Sequence, residues 1–468
     1  MQVGNTKMRS QINPSPVSTM GLNTSINQVD IDAIKVHLTQ LLHRPSTTPN
    51  DAGCQQYLKR YFKSLGMSVD DFEVEGVSNL IAKIGSGSTR IAFCGHTDVV
   101  PALNVDLWHT EPFSLAIQDD KFIGRGIADM KGAVASMLTA FEHVLSSLDL
   151  DKFTFYFLIT SDELGDAEYG TKEIVSRLAQ TQELPHYCIV GEPTSVEQSG
   201  DVLKIGRRGS ISAEITIIGK HGHVAFPQNA KNASHTAVVM GKWLTQQSWD
   251  QGSDDFPGSH LEITGIQTCD AGDNVIPGEC RLTFNIRYSH KETEANIKQR
   301  IVNGLVQLKQ LTNDISIRWY RACEPYYTSG ETANSMNDSD VVSTSLDGLV
   351  GQSISDGQNI NGSHLANNEF TEVGVGEDKS RTTVTLPIDI DLVAEVEQAI
   401  FDVTKRFPRL STAGGTSGGR FIAKSGCQVI ELGLPSHSVH QVNEYVTEKD
   451  LLDLTHQYVQ VLQRMAGK

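Results

Sequence analysis

Positive charge is in short supply in this chain of 468 residues: 39 Lys and Arg stand against 56 Asp and Glu, a formal net charge of −17. Nucleic acid and anionic membranes demand a basic face, so neither is expected as the main partner. Long apolar runs are missing too, and nothing approaches the ~20 consecutive apolar residues of a membrane span. The first 28 residues are polar, rich in Asn, Ser and Gln, and lack the apolar core of a secretory signal. They read as a disordered extension, and the protein as cytoplasmic. Paired cysteines are absent as well. The seven cysteines, at 54, 94, 188, 269, 280, 323 and 427, never form a C-x-x-C pair. That is the pattern of reduced thiols rather than of disulfides or a thiolate metal site. No internal repeat is evident.

What is present is a globular composition, 39% hydrophobic and 20% charged, in a chain long enough for two domains or three. Helical spacing runs from Asp30 to Leu65, broken at Arg44-Pro45 and restarting after Pro49-Asn50-Asp51. Strand signals follow at Leu80–Ile84, Ile91–Gly95, Phe153–Ile159 and Tyr187–Val190, alternating with helix formers. Such alternation implies an α/β sheet, whose sites gather beyond the carboxyl ends of the strands. Four successive strand ends or helix starts carry His96 with Asp98, Asp129, Glu163 and Glu192. After Ser210 the texture changes. Ile211, Ala213, Ile215 and Ile217 alternate with polar residues, as do Leu282, Phe284, Ile286 and Tyr288, which reads as a half-exposed antiparallel sheet. The expected layout is a catalytic domain over 29–209 and 324–468, interrupted by an α+β domain over 210–323. Within it, 330–387 is a polar insertion, too long and too poor in apolar residues for a packed loop.

His96, Asp129, Glu192 and the late His440, with Asp98 behind His96, form a set of imidazoles and carboxylates without cysteine. That donor set suits zinc, or cobalt or manganese in its place. A carboxylate such as Asp129 can bridge two ions, and water between them becomes acidic enough to ionise near neutral pH. Amide hydrolysis also needs a base that passes the water's proton to the leaving amine, and Glu163, at a strand end, fits. A structural His–Asp pair, a plain helix cap at Asp129 and solvated surface arginines are the alternatives to these readings.

The segments Gly95-His-Thr-Asp98, Gly126-Ile-Ala-Asp-Met-Lys-Gly132, Thr160-Ser-Asp-Glu163 and Gly191-Glu-Pro193, followed by His440, resemble the co-catalytic zinc aminoacylase/carboxypeptidase family. Gly206-Arg-Arg-Gly-Ser210, Gly222-His-Val-Ala-Phe-Pro227, Asn274-Val-Ile-Pro277 and Gly414-Gly-Thr-Ser417 are similar to its branch that removes the succinyl group from N-succinyl-LL-2,6-diaminopimelate. The resemblance runs from about residue 30 to the C-terminus, outside the insertion. It implies a zinc-peptidase-like catalytic domain with an inserted dimerisation lid, a homodimer, and amide hydrolysis in the supply of lysine and peptidoglycan precursors. By motif, His96, Asp129 and Glu192 hold one zinc, and Asp129 bridges to a second held by His440. Asp98 orients His96, Glu163 is the general base, and His223 reaches the partner subunit's site to stabilise the oxyanion. Arg207, Arg208, Asn274, Arg287 and Thr416 grip substrate carboxylates.

The sequence departs from that family at one metal ligand. Where a second acid is expected after the base, the chain reads Glu163-Leu164, so the second zinc site is weakened while the first stays tight. Asp162, Asp166 and Glu168 are the neighbouring candidates to replace it. Gly418, Phe226 and Ser436 stand where Asp, Tyr and Asn are usual. Besides a working desuccinylating enzyme, these changes leave open a related N-acyl-amino-acid deacylase with a shifted substrate, and a catalytically impaired relative.

Overall fold

The computed structural model describes residues 29–268, 272–308, 314–328, 359–360 and 390–467. The first 28 residues and all but two residues of the 330–387 insertion lie outside that description.

Helix α1 (Ile31–Leu42) is N-capped by Asp30, whose carboxylate accepts from the Asp32 amide, and α2 (Cys54–Ser64) follows the predicted break. The chain then forms β1 (Ser68–Val74) and β2 (Val77–Gly85), an antiparallel pair, and β3 (Thr89–His96). After α3 (Gly132–Val144) come β4 (Phe153–Thr160), α4 (Thr171–Gln180), β5 (Tyr187–Val190) and β6 (Val202–Lys204). Along β3, Ile91 and Phe93 enter one core while Ala92 and Cys94 enter another, as the two-residue period of a strand requires. The sheet is therefore covered on both faces. The larger core lies under α1, α2 and α3, and the smaller one under α4.

A separate core belongs to the next unit. Its strands are β7 (Gly209–Ile218), β8 (His260–Thr268), β9 (Glu279–Tyr288) and β10 (Asp314–Cys323), with α5 (Ala233–Thr245) and α6 (Glu294–Gln307) packed on them. A short strand within the insertion, β11 (Asn359–Ile360), pairs with Ile315 and Ser316 and extends this sheet to the order β8-β9-β7-β10-β11. At least those two residues of the insertion are thus built into the sheet.

The chain then returns to the first unit with α7 (Leu392–Thr404), β12 (Arg409–Ser411), α8 (Gly419–Lys424), β13 (Gln428–Glu431) and α9 (Glu448–Ala466). Strand β13 slots between β5 and β6, completing the order β1-β2-β4-β3-β5-β13-β6-β12. Strands β3, β4, β5 and β13 run parallel, so their carboxyl ends open on one edge. His96 lies beside Thr160 in that register, and Cys94 beside Val190. The segments holding His96, Glu163 and Glu192 are thereby brought side by side.

Candidate active site

His96 is almost fully buried, and its Nδ1 lies 2.9 Å from the Asp98 carbonyl oxygen. A carbonyl can only accept, so Nδ1 donates, which leaves Nε2 to face the carboxylates, protonated without a cation and free to coordinate one when it is deprotonated. Nε2 is 3.1 Å from Asp129 Oδ1 and 3.7 Å from Glu192 Oε1, and the three side chains offer ligand atoms within 4.8 Å of one another. Burial alone would depress the His96 pKa, but the Asp129 and Asp98 carboxylates outweigh it and raise it well above the ordinary value. Glu192 is pushed well up, first by burial and then by the Asp129 charge beside it. Carboxylates crowded around one imidazole carry an excess of negative charge that a divalent cation would neutralise, and the nitrogen and oxygen donors suit zinc.

Asp129 faces both ways. Its Oδ2 is 3.0 Å from His440 Nε2, so the one carboxylate joins two imidazoles. Burial raises its pKa, but hydrogen bonds from His440 and His96 win and hold it below the usual carboxylate range. The turn before it passes through Gly126 at φ 84°, where an added Cβ would lie 2.2 Å from Val99 Cγ1. Only glycine fits there.

Fully buried Asp98 does more than hold His96. Its carboxylate accepts from the Leu164 amide at 2.9 Å and the Glu163 amide at 3.2 Å, fixing the Glu163 segment to the His96 segment. The Glu163 carboxyl is raised by burial and drawn back by Arg420, whose Nη1 is 3.5 Å away. Burial and Arg420 thus act on the same carboxyl in opposite directions.

Beyond His440 the second metal position fails the donor test. Leu164 lines the cleft and offers no ligand atom. None of the three neighbouring acids replaces it. Asp162 is engaged by the amides of Ala167, Tyr169 and Glu168, Asp166 is 86% exposed and faces Arg321 at 3.5 Å, and Glu168 pairs with Lys172 at 2.8 Å.

Residues 92–464 match peptidase family M20/M25/M40. The chain belongs to that family. It is 41% identical over 425 residues to succinyl-diaminopimelate desuccinylase 2 of Shewanella loihica, covering 91% of this chain and 98% of that one. Succinyl-diaminopimelate desuccinylase 1 of Alteromonas mediterranea is 37% identical, covering 90% and 94%. Among solved structures, an M20 family metallo-carboxypeptidase from Sulfolobus solfataricus superposes with a TM-score of 0.67 at 14% identity, covering 92% and 99%.

In this M20 chain the metal-ligand candidates border a cavity of about 790 Å³. Asp129, Glu192, Glu163 and His440 line it, together with Arg287, Thr416 and Lys204. Arg287 has a buried Nη1 with no hydrogen-bond partner, the state expected of a group awaiting an anion. Lys204 was not singled out from sequence. Its Nζ donates to Ser411 Oγ at 3.2 Å and forms no ion pair among the described residues, and burial, then nearby Arg207, lower its pKa to about 8.

Two sequence expectations need correction within one chain, those for Arg207 and Arg208. The guanidinium of Arg207 is already paired with buried Glu431, which also accepts from Tyr326 and Ser417, each at 2.6 Å; its carboxylate is internal. Burial opposes ionisation of Glu431, and Arg207 overcomes it. Arg208 turns into the inserted unit, donating to the Gly258 carbonyl at 2.9 Å. His223 and Asn274 lie together where two short strands distant in sequence, Gly222–His223 and Val275–Ile276, pair; both are exposed and outside the cavity of their own chain.

Proposed function

We propose that this chain hydrolyses the amide of N-succinyl-LL-2,6-diaminopimelate to succinate and LL-2,6-diaminopimelate, supplying lysine and peptidoglycan synthesis. The observation that carries the substrate is the 41% identity, over 91% of the chain, to a relative of that name. The cleft supports it. A substrate with three carboxylates meets two cations, Arg287 and Lys204, that form no ion pair among the described residues and line the same cavity as Asp129, Glu192 and His440.

His96, Asp129 and Glu192 would hold one tight ion, zinc or cobalt. Once bound, that ion supplies Lewis-acid polarisation of the scissile carbonyl and makes water more acidic. Glu163 takes the proton of the attacking water and delivers it to the leaving nitrogen. Asp98 holds the base segment and His96 in register, Arg287 and Thr416 orient the substrate, and the cleft walls limit water. A second ion has only Asp129 and His440, so its binding is weak. The protein works as a homodimer through the inserted unit, and His223 and Asn274 serve the other subunit's cleft, with His223 stabilising the oxyanion. The reading is of a cytoplasmic enzyme, in keeping with the six described cysteines, all buried free thiols.

Elemental analysis paired with hydrolysis assays during zinc titration tests this reading. Turnover saturating with one zinc per chain, and faster on succinyl-diaminopimelate than on N-acetyl amino acids, supports it. The reverse preference selects a shifted deacylase, which Leu164 in the cleft wall favours, and no turnover at any zinc level in folded dimer refutes the hydrolase assignment.

A further inference from the structure

The bridging carboxylate stands on a turn whose inner amides are held from elsewhere in the chain. Asp129 has extended backbone angles (φ −129°, ψ 95°) within the wide turn Ile127–Lys131 just before α3. Its own amide and the amides of Gly126 and Ala128 all point at one acceptor, the side chain of Glu444. Ala128 N is 2.9 Å from Oε1 and Asp129 N 3.3 Å from it, while Gly126 N is 3.0 Å from Oε2. Arg125 Nη1 completes the shell at 2.6 Å, and Arg125 in turn lies over the Trp108 ring at 5.1 Å. Glu444 is fully buried and is not itself one of the residues that line the cavity.

Glu444 also follows His440 by a single turn of chain. The intervening residue Asn443 accepts from the His109 amide at 2.7 Å, and Tyr445–Thr447 pairs with Lys121–Ile123. One short segment therefore presents a metal-ligand imidazole and, four residues on, a carboxylate that gathers three amides leading to the shared ligand. A hydrogen-bonding carboxylate at this distance from a ligand sets its direction and its basicity.

We propose that Glu444 is the positioning residue of the metal centre: it aims Asp129 at His96 and His440 together, so that the affinity of the centre depends on a side chain that never touches the ion. The inference rests on the metal reading above. It predicts that Glu444→Gln, which keeps the shape but loses the charge that holds three amides and Arg125, weakens zinc about 10- to 100-fold.

The test measures zinc affinity by chelator competition and the visible absorption of the cobalt-substituted protein, in wild type, Glu444→Gln and the charge-retaining Glu444→Asp. Wild type must first bind zinc; if it binds none, the metal reading itself fails. The expected result is weaker zinc in both variants, an altered cobalt spectrum, and partial recovery in Glu444→Asp relative to Glu444→Gln. Should Glu444→Gln not fold, Glu444→Asp decides alone, because its shortened side chain must still lower affinity and shift the spectrum. Wild-type affinity and spectrum in a folded variant, with only the melting temperature lowered, would overturn the proposal and leave Glu444 a brace.

Discussion

Arg420 offers a measurable lever on the base. Its Nη1 lies 3.5 Å from Glu163 Oε1, and both side chains are about nine-tenths buried. At an effective dielectric near 20, two unit charges at that distance attract by about 4 to 5 kcal/mol. Nearby Asp98 and Asp129 and the water of an open cleft reduce the usable part to roughly half, about 2 kcal/mol, or about 30-fold in an ionisation constant. Burial raises the Glu163 pKa and Arg420 opposes that rise, so Arg420→Gln raises it further. Glu163 must be ionised to accept a proton. The variant should therefore lose activity mainly at acid pH, by about 30-fold on the acid limb of kcat/KM, and approach wild type as pH rises. A kcat/KM profile from pH 5 to 9 at saturating zinc reads this directly. An unmoved acid limb, or an equal loss at every pH, would refute the electrostatic role and recast Arg420 as a substrate contact.

Glu163→Gln should keep its zinc and lose about 10²- to 10⁴-fold in kcat, and loss of zinc instead would make Glu163 a ligand. Leu164→Glu leaves the backbone bond to Asp98 intact and gives the His440 side a third donor, so elemental analysis should show tight zinc rising from one per chain to two. Arg207→Met strands the buried Glu431 carboxylate and should cost about 3 to 5 kcal/mol in urea unfolding; a raised KM with unchanged stability would instead make Arg207 a substrate contact.

The strand ends were legible because an apolar run that stops at a charged or polar group looks the same in sequence as in space. His96, Glu163 and Glu192 could be named that way, Asp129 from its helix start and His440 from the family motif, and they meet around one cleft. The alternation of 211–217 and 282–288 likewise exposed the second sheet, and the structure pairs these stretches residue for residue. The hairpin partner Ser68–Val74 escaped notice, since its charged face carries little strand signal. What sequence could not show is who pairs with whom. Arg207 and Arg208 look alike in a basic pair, yet the first meets Glu431, far along the chain, and the second meets a carbonyl of the inserted unit. Lys204 closes an apolar triplet and reads as a strand tail. Glu444 reads as one more acid after a histidine, because its acceptor role depends on amides that carry no side-chain signature.

The placement of β13 has a consequence for how the protein is made. A ribosome delivers His96, Asp129 and Glu192 early, but the strand that joins β5 to β6 comes only near the finish, after the whole inserted unit. Until then the nascent sheet has a gap at its middle, two facing edges able to recruit foreign strands, and an Asp129 segment with nothing to grip it. A chain cut short before β13 therefore lacks the strand that joins β5 to β6, and it leaves both of their edges open to foreign strands.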